Sequence, residues 1–167
     1  MKIGIISDTH YPDKTNFISP KINKIFKDVQ IILHAGDIHS PEILKYLSTI
    51  APVVAVAGNG DDASLANQLG HHRVVYIKGL KIGIAHGHHG SRCESGIART
   101  FAWFDNTDLV IGGHTHLPEF TKTEHGWYLN PGSYGVPKDD RGPSVAILTI
   151  EKEQFDAEIV FLNQFDD

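Results

Sequence analysis

The sequence has a single cysteine, Cys93, and no long uninterrupted run of apolar residues. One cysteine cannot close an intrachain disulfide and cannot supply a cluster of thiolate ligands to a metal ion. No apolar run approaches the roughly 18 residues that a membrane-spanning helix needs, and we expect no secretory leader before the first apolar segment. These absences predict a protein of the reducing cytoplasm that does not enter a membrane.

Positive charge is also scarce. The 15 Lys and Arg residues are outnumbered by 20 Asp and Glu residues, which gives a formal net charge of −5. Affinity for duplex DNA depends on neutralising phosphates, so this balance argues against a general duplex-DNA binder. With 41% hydrophobic residues the chain has the composition of a folded protein, and its length predicts one domain over residues 1–167. Its oligomeric state stays open, with a homo-oligomer among the alternatives.

The first half of the sequence alternates short apolar runs with helical patterns. Strands are predicted at 2–7, 30–35 and 53–57. Helices are predicted to begin at Ser19-Pro20 and Ser40-Pro41, where a capping residue precedes a first-turn proline. Because strands and helices alternate and the strands are continuously apolar, we expect right-handed crossovers and a largely parallel sheet.

The second half contains strands that follow one another with few long helices between them. The predicted strands are 73–77, 81–85, 109–111, 120–123, 127–130, 144–150 and 158–162. Helices are predicted at 62–69 and 91–104. This order predicts a second sheet packed on the first, with helices on the outside.

Histidine is abundant, and most of the 11 histidines lie beside Gly or Asp where an apolar run ends. Five predicted strands end in clusters that could ligate a metal, and ligands gather at the carboxyl ends of strands in α/β folds. The clusters are Asp8-Thr9-His10, Gly36-Asp37, Gly58-Asn59, His86-Gly87-His88 and Gly112-Gly113-His114-Thr115-His116. Carboxylate, imidazole and amide oxygen suit Mn, Fe, Zn, Ni or Co, and these groups outnumber the needs of one tetrahedral ion. The sequence therefore predicts two divalent ions that share one carboxylate.

Taken in this order, the five clusters resemble the motifs of the calcineurin-like metallophosphoesterases. The short chain and the segment Asn130-Pro131-Gly132-Ser133 resemble the small YfcE-type phosphodiesterases, and the resemblance runs from Met1 to about Ile150. It implies an α/β fold with four layers, α-β-β-α, in which helices flank two mixed sheets. It also implies two divalent metal ions, for which we expect Mn²⁺ first and Ni²⁺, Zn²⁺, Fe²⁺ or Co²⁺ as alternatives.

The resemblance implies a ligand set for each ion. One ion would take Asp8, His10, Asp37 and His116, and the other would take Asp37, Asn59, His86 and His114, so that Asp37 bridges. The implied activity is hydrolysis of a small-molecule phosphodiester, or of a phosphomonoester, by metal-bound hydroxide. The alternative is a non-catalytic interaction scaffold, similar to the retromer subunit of this family. That relative departs from the acidic bridge and the amide ligand, whereas this chain keeps both.

One position departs from the family pattern. Many members carry a histidine after the Gly-Asn pair, and that histidine is thought to protonate the leaving oxygen, whereas this chain has Gly60 there. We expect either slow hydrolysis of esters with poor leaving groups or a substitute histidine. His39 and His88, each two residues beyond a predicted ligand, are the candidate acids or phosphate contacts.

The remaining polar residues have structural interpretations. We expect His34 in the core, His71 and His72 at the surface, and His125 in a hairpin turn. His89 receives no assignment. Arg92 and Arg99 could reach a substrate phosphate, although solvated helix positions are the default, and Cys93 lacks an acid-base partner for catalysis.

Overall fold

Ten strands, four α-helices and a short 3₁₀ helix at Leu162–Gln164 are present in the computed structural model, which describes residues 1–11, 18–90, 95–152 and 154–165. The strands are β1 (Lys2–Ile6), β2 (Ile31–His34), β3 (Val53–Ala55), β4 (His72–Ile77), β5 (Leu80–Ala85), β6 (Leu109–Ile111), β7 (Pro118–Thr123), β8 (Gly126–Pro131), β9 (Ser144–Glu151) and β10 (Gln154–Phe161). The helices are α1 (Lys21–Ile25), α2 (Pro41–Ser48), α3 (Ala63–Leu69) and α4 (Gly96–Phe101). No helix in these ranges is long and apolar enough to span a bilayer.

The strands form two mixed sheets of five strands each. The first sheet has the order β10-β9-β1-β2-β3 and the second has the order β4-β5-β6-β8-β7. In the first sheet β1, β2 and β3 are parallel, and in the second β5, β6 and β8 are parallel. The remaining strands pair antiparallel. Each sheet therefore gathers the carboxyl ends of three parallel strands at one edge.

The core between the two sheets and the core under the first helices are built by alternate residues of the same strands. Ile5 of β1 is fully buried in the cluster that also contains Ile84 of β5, so this face of β1 packs against the second sheet. The next residue, Ile6, points to the opposite face and joins the cluster that contains Leu47 of α2. This alternation follows from the two-residue period of a strand.

A third apolar cluster covers the outer face of the second sheet. Val110 of β6 and Phe101 of α4 are buried in this cluster, and Phe104 packs against it. Gly83 of β5 permits the close approach, because a Cβ there would lie 2.7 Å from the Phe104 ring. Three apolar clusters thus separate four layers, which confirms the predicted α-β-β-α arrangement of two mixed sheets.

Two helices are shorter than their sequence patterns, which place apolar residues at helical spacing up to Val29 for the first helix and extend over 91–104 for the last. Helix α1 ends at Ile25, because Phe26 leaves helical geometry and buries its ring against the first sheet. Helix α4 begins at Gly96, after the N-cap Ser95, and residues 91–94 of the predicted helix lie outside the described residues, together with Arg92 and Cys93. By contrast, α2 begins as predicted, with Ser40 Oγ accepting from the Glu42 backbone N–H at 3.4 Å.

Candidate metal centre

The loops after β1, β2, β3, β5 and β6 meet at one edge of the two sheets. Backbone hydrogen bonds join them: Asp8 N donates to Gly36 O at 3.0 Å, and Gly113 N donates to His86 O at 3.2 Å. These loops carry all seven residues predicted as metal ligands, which are Asp8, His10, Asp37, Asn59, His86, His114 and His116.

The backbone of these loops is held in an unusual conformation. Of the nine described non-glycine residues with positive φ, six belong to this edge. They are Asp8, His10, Asp37, His39, His114 and His116, with φ between 48° and 68°. L-residues adopt this region at a cost of about 1–3 kcal/mol each, and such residues cluster at functional sites. The fold therefore spends stability on aiming these side chains.

Asp8 lies at the centre of the site and is fully buried. Its Oδ2 accepts from Ser7 Oγ at 2.6 Å and from the His114 backbone N–H at 3.1 Å. Its Oδ1 faces three imidazoles, with His116 Nε2 at 3.0 Å and both His10 Nε2 and His86 Nε2 at 3.8 Å. One oxygen is thus fixed by the protein while the other points into the cluster of rings.

Asp37 lies between two of the same rings. Its Oδ1 accepts from the Gly60 backbone N–H at 2.7 Å and lies 3.3 Å from His86 Nε2. Its Oδ2 lies 3.7 Å from His10 Nε2. The two oxygens therefore face two different imidazoles, the arrangement that a bridging carboxylate requires.

Backbone carbonyls fix the orientation of two of the rings. His86 Nδ1 lies 2.8 Å from Ala35 O, and His116 Nδ1 lies 2.6 Å from Val136 O. A carbonyl only accepts, so each Nδ1 carries the proton and each Nε2 is turned towards the carboxylates. This is how metal-binding histidines are commonly held by their second nitrogen.

Three buried atoms at the centre make no well-aligned hydrogen bond with any described residue. They are Asp8 Oδ1, His10 Nε2 and His86 Nε2. Buried polar atoms are nearly always paired, because an unpaired one costs about 1–3 kcal/mol. These three atoms, one carboxylate oxygen and two imidazole nitrogens, face one another without pairing. Together they form a donor set that fits a divalent cation.

The groups around Asp8 and Asp37 favour the ionised form of both carboxyls. Burial opposes ionisation of Asp8, but His10, His116, His86 and Ser7 hold the pKa of its carboxyl far below the usual range. Burial likewise opposes ionisation of Asp37, but His86 and the Gly60 N–H lower its pKa to about 2. Both carboxyls are therefore ionised throughout the physiological pH range.

The two imidazoles closest to these carboxylates respond in the opposite direction. Burial disfavours the charged form of His86, but Asp37 and Asp8 raise its pKa. The nearby Asp8 carboxylate also raises the pKa of His116. In the metal-free protein these rings therefore attract protons to the positions that a cation would take.

Asn59 and His114 are the remaining predicted ligands. Asn59 is exposed in the turn after β3, between Gly58 and Gly60, whose backbone N–H groups bond to the Asp61 and Asp37 carboxylates. The His114 ring packs edge-on against His86, with centroids 5.2 Å apart. Asn59 and His114 thus border the Asp37–His86 side of the site.

The two candidate acids occupy different surroundings. His39 Nε2 lies 3.0 Å from His10 Nδ1, and a Cβ added to Gly60 would overlap the His39 ring. The His88 ring lies 5.4 Å from the His86 ring, and burial together with the charge of His86 lowers its pKa to about 3.

Asp61 is a site residue that sequence reasoning missed. Its Oδ1 accepts from the backbone N–H groups of Ile38 and His39, each at 2.7 Å, and its Oδ2 accepts from Gly58 N at 2.8 Å. It ties the loop that follows Asp37 to the turn that carries Asn59. The sequence of the Gly58-Asn59-Gly60-Asp61 turn shows that a carboxylate lies next to a predicted ligand. It does not show that this carboxylate accepts hydrogen bonds from the loop after β2.

The Asn130–Ser133 segment braces the site from below. Asn130 Nδ2 donates to Gly113 O at 2.9 Å, and Ser133 Oγ donates to Asp8 O at 3.0 Å. Both side chains are buried. The segment that supported the family resemblance therefore fixes the backbone of two loops that carry predicted ligands.

The structure also tests the expectations for other histidines. His34 is fully buried, as predicted, and His125 lies in the hairpin turn between β7 and β8, as predicted. His72 is exposed, as predicted. His71, which was also expected at the surface, is partly exposed, and its ring contacts those of His88 and His89.

Arg99 is likewise not a simple solvated residue. Its Nε is buried and has no hydrogen-bond partner in the described ranges, and its charge lowers the pKa of His114, behind the larger effects of burial and His86. Arg99 therefore lies near enough to the site to influence an anion there.

Comparison with known proteins agrees with this geometry. The model of the calcineurin-like phosphoesterase superfamily domain matches residues 1–153. A probable metallophosphoesterase of Methanothermobacter thermautotrophicus is 41% identical over 160 residues, which cover 96% of this chain and 92% of that protein.

Solved structures with the same fold include an archaeal phosphodiesterase and Vps29. A structurally and functionally characterised archaeal phosphodiesterase has 29% identity and a TM-score of 0.70, with 96% of this chain and 100% of that chain covered. Vps29 from Entamoeba histolytica complexed with Zn²⁺ has 26% identity and a TM-score of 0.75, with 98% and 100% covered.

Proposed function

Because the chain belongs to the calcineurin-like phosphoesterase superfamily, we propose that it hydrolyses small-molecule phosphodiesters with two divalent metal ions. The observation that carries the proposal is the set of three buried atoms without aligned partners, Asp8 Oδ1, His10 Nε2 and His86 Nε2. They lie beside the Asp37 carboxylate at the edge where the parallel strands end. Such a donor set has no evident structural use, whereas cation binding explains it.

The proposed ligand sets follow the strand-end loops. One ion would be held by Asp8, His10, Asp37 and His116, and the second by Asp37, Asn59, His86 and His114. Asp37 would be shared, in keeping with its two oxygens facing His10 and His86. When bound, a pair of such ions lowers the pKa of coordinated water and neutralises charge on phosphate oxygens. Mn²⁺ is the first ion to test, with Ni²⁺, Zn²⁺, Fe²⁺ and Co²⁺ as alternatives.

The carbonyl partners of the imidazoles contribute to this function. Ala35 O and Val136 O hold the protons of His86 and His116 on Nδ1. Each Nε2 faces the site, so that loss of its proton leaves a lone pair there without a change of tautomer. The fold thereby prepares these two ligands before any cation arrives.

We assign the contact with the leaving oxygen, or with a phosphate oxygen, to His39. When His10 turns its Nε2 lone pair towards a cation, its proton is on Nδ1 and is donated to His39 Nε2. The proton of a neutral His39 is then on Nδ1, from which it can form a hydrogen bond to a phosphate or leaving oxygen of the substrate without proton transfer. His88 is the weaker candidate, because its Nδ1 is buried, whereas His39 is exposed beside the site, and because burial and His86 lower the pKa of His88 to about 3, which rules it out as a proton-transferring acid near neutral pH.

An interaction scaffold of the same fold is the second candidate function, and the structural likeness to Vps29 is compatible with it without favouring it. The two functions differ in one respect that a simple assay measures. An enzyme turns over a phosphoester when its metal ions are present, whereas a scaffold binds metal without turnover.

The test uses metal-free protein reloaded with Mn²⁺ and assayed with an aryl phosphodiester and the matching monoester. We expect hydrolysis that favours the diester, stops with a chelator and returns on adding Mn²⁺. Asp37→Ala should abolish it, while Asp156→Ala, which changes an exposed carboxylate on β10, should not. Metal binding without turnover of either ester would favour the scaffold.

A further inference from the structure

We propose that His71, His88 and His89 form a third metal site, which takes one divalent transition-metal ion such as Zn²⁺. One nitrogen from each of the three rings lies within 4.8 Å of the other two. None of the three residues belongs to the ligand sets proposed above, so the site stands without the proposed function.

The pairing of β4 with β5 builds this cluster. The two strands are antiparallel, with His72 opposite Ala85, so the chain entering β4 lies beside the chain leaving β5. His71 thereby meets the segment after His86. The ring centroids of His71 and His89 are 4.9 Å apart, those of His88 and His89 are 3.8 Å apart, and those of His71 and His88 are 5.7 Å apart.

Two atoms of the cluster lack the partners that buried nitrogens normally have. His71 Nδ1 and His88 Nδ1 are both buried without a hydrogen-bond partner among the described residues. An unpaired buried nitrogen is costly, and two that share one cluster can be satisfied together by one cation. His89 supplies the third imidazole.

The donor set selects the type of ion. Three imidazoles without a carboxylate suit Zn²⁺, Cu²⁺ or Ni²⁺ better than Mg²⁺ or Ca²⁺. Zn–N bonds of about 2.0–2.1 Å place tetrahedral ligand nitrogens roughly 3.3 Å apart. Nitrogens that already lie within 4.8 Å of one another therefore need to approach by at most about 1.5 Å, which side-chain torsions can supply.

The third site would adjoin the proposed dinuclear centre. The His88 ring lies 5.4 Å from that of His86 and 6.3 Å from that of His114. An ion held by His88 would thus add positive charge beside the second proposed ligand set. It would also occupy His88, leaving the substrate contact to His39.

The test counts metal ions on tag-free protein that has been stripped with a chelator, reloaded with excess Zn²⁺ and desalted. By elemental mass spectrometry, His71→Ala should carry one Zn²⁺ fewer per chain than the wild type. His72→Ala is the matched control and should lose none, because the neighbouring His72 is exposed and stacks on Trp103 at 4.4 Å. Equal Zn²⁺ content in His71→Ala and wild type would overturn the proposal.

Two further measurements guard against indirect effects. His89→Gln should also lose one Zn²⁺, which excludes a folding defect peculiar to His71→Ala. Loading with Co²⁺ should give a visible absorption band for a three-histidine site that is absent in His71→Ala and present in Asp37→Ala. If His71→Ala instead weakens binding of inorganic phosphate to the metal-free protein without losing Zn²⁺, the cluster is an anion site and the proposal is wrong.

The outcome is separable from the proposed hydrolase. If the wild type hydrolyses no ester but His71→Ala binds one Zn²⁺ fewer, the third site is supported and the proposed hydrolase is wrong. If the wild type hydrolyses diesters but has the same Zn²⁺ content as His71→Ala, the proposed hydrolase is supported and the third site is wrong.

Discussion

The ring of His39 occupies the space that a side chain at Gly60 would need, since a Cβ built on Gly60 would overlap His39 Nε2. Two positions on neighbouring loops therefore compete for one place beside Asp37. Where the family pattern has a histidine after the Gly-Asn pair, this chain has a glycine there and an imidazole from the loop after β2 in its place.

This relationship predicts a selective defect in His39→Ala. Loss of a donor to the leaving oxygen should slow an alkyl phosphodiester about 10²-fold, because an alkoxide leaves poorly without such help. An aryl phosphodiester, whose leaving group is stable as an anion, should slow by less than about 10-fold. The measurement is kcat/KM for both substrates at saturating Mn²⁺. Equal losses would mean that His39 only orients His10.

A transplant variant tests the same relationship in the other direction. His39→Gly combined with Gly60→His removes the overlap and returns an imidazole to the position used by other family members. The glycine also suits the positive φ of 67° at position 39. The double variant should recover most of the alkyl-ester activity that His39→Gly alone loses.

Asp61→Asn should weaken metal binding although Asp61 is not a proposed ligand. The amide keeps the shape of the side chain, but one of the two acceptor oxygens becomes an NH₂ group that faces backbone N–H donors and can no longer accept their hydrogen bonds. We expect the Mn²⁺ affinity to fall about 10–100-fold, as happens when supporting partners of metal ligands are lost. Asp62→Asn is the matched control, because Asp62 caps α3 and asparagine caps equally well. An unchanged Mn²⁺ titration of Asp61→Asn would contradict this role.

The loops that carry the proposed ligands were predictable from the sequence, because each follows a short apolar strand with a distinctive polar cluster. Parallel strands bring their carboxyl ends to one edge, so Asp8, Asp37 and His86 could be placed together before any contact was known. The strand β10 was only partly predictable. Its first residues, Gln154 and Asp156, are polar because they lie exposed on an edge strand, which hides the strand signal.

Contacts between loops that are distant in sequence were not predictable. The environment of His71 depends on the β4–β5 register, which places it beside His88 and His89. The role of Asp61 likewise depends on N–H groups 22 or 23 positions away. No local pattern specifies either partner, so both residues gained their meaning only from the fold.

The variants Asp37→Ala and Asn59→Ala should lose different numbers of metal ions per chain. If Asp37 bridges, as its contacts with His10 and His86 suggest, Asp37→Ala should lose two Mn²⁺ per chain relative to the wild type. Asn59→Ala should lose one, and Asn59→Asp should lose none because it keeps an oxygen donor. Metal content after desalting measures this directly. Unchanged content in Asn59→Ala would remove Asn59 from the ligand set.

His34 should make the metal-free protein sensitive to acid. Its ring is fully buried, Nδ1 accepts from the Gly36 backbone N–H at 3.2 Å, and burial lowers its pKa to about 4. Between pH 6.5 and about 4, His34 is protonated in the unfolded chain but stays neutral in the folded protein. The stability that neutral His34 contributes is therefore complete above pH 6.5 and is lost as the pH falls towards 4, at about 1.4 kcal/mol per pH unit.

His34→Asn isolates this effect, because Asn Oδ1 can accept from Gly36 N–H without titrating. Between pH 6.5 and 4.5 the free energy of unfolding of the wild type should fall by about 2–3 kcal/mol more than that of the variant. Urea titrations in chelator measure the difference, which cancels the other titrating groups common to both proteins. Parallel pH curves for the two proteins would show that the pKa of His34 is the same in the folded and unfolded states, which would contradict this prediction. The contact between His34 and Gly36 would then not contribute to the acid sensitivity of the metal-free protein.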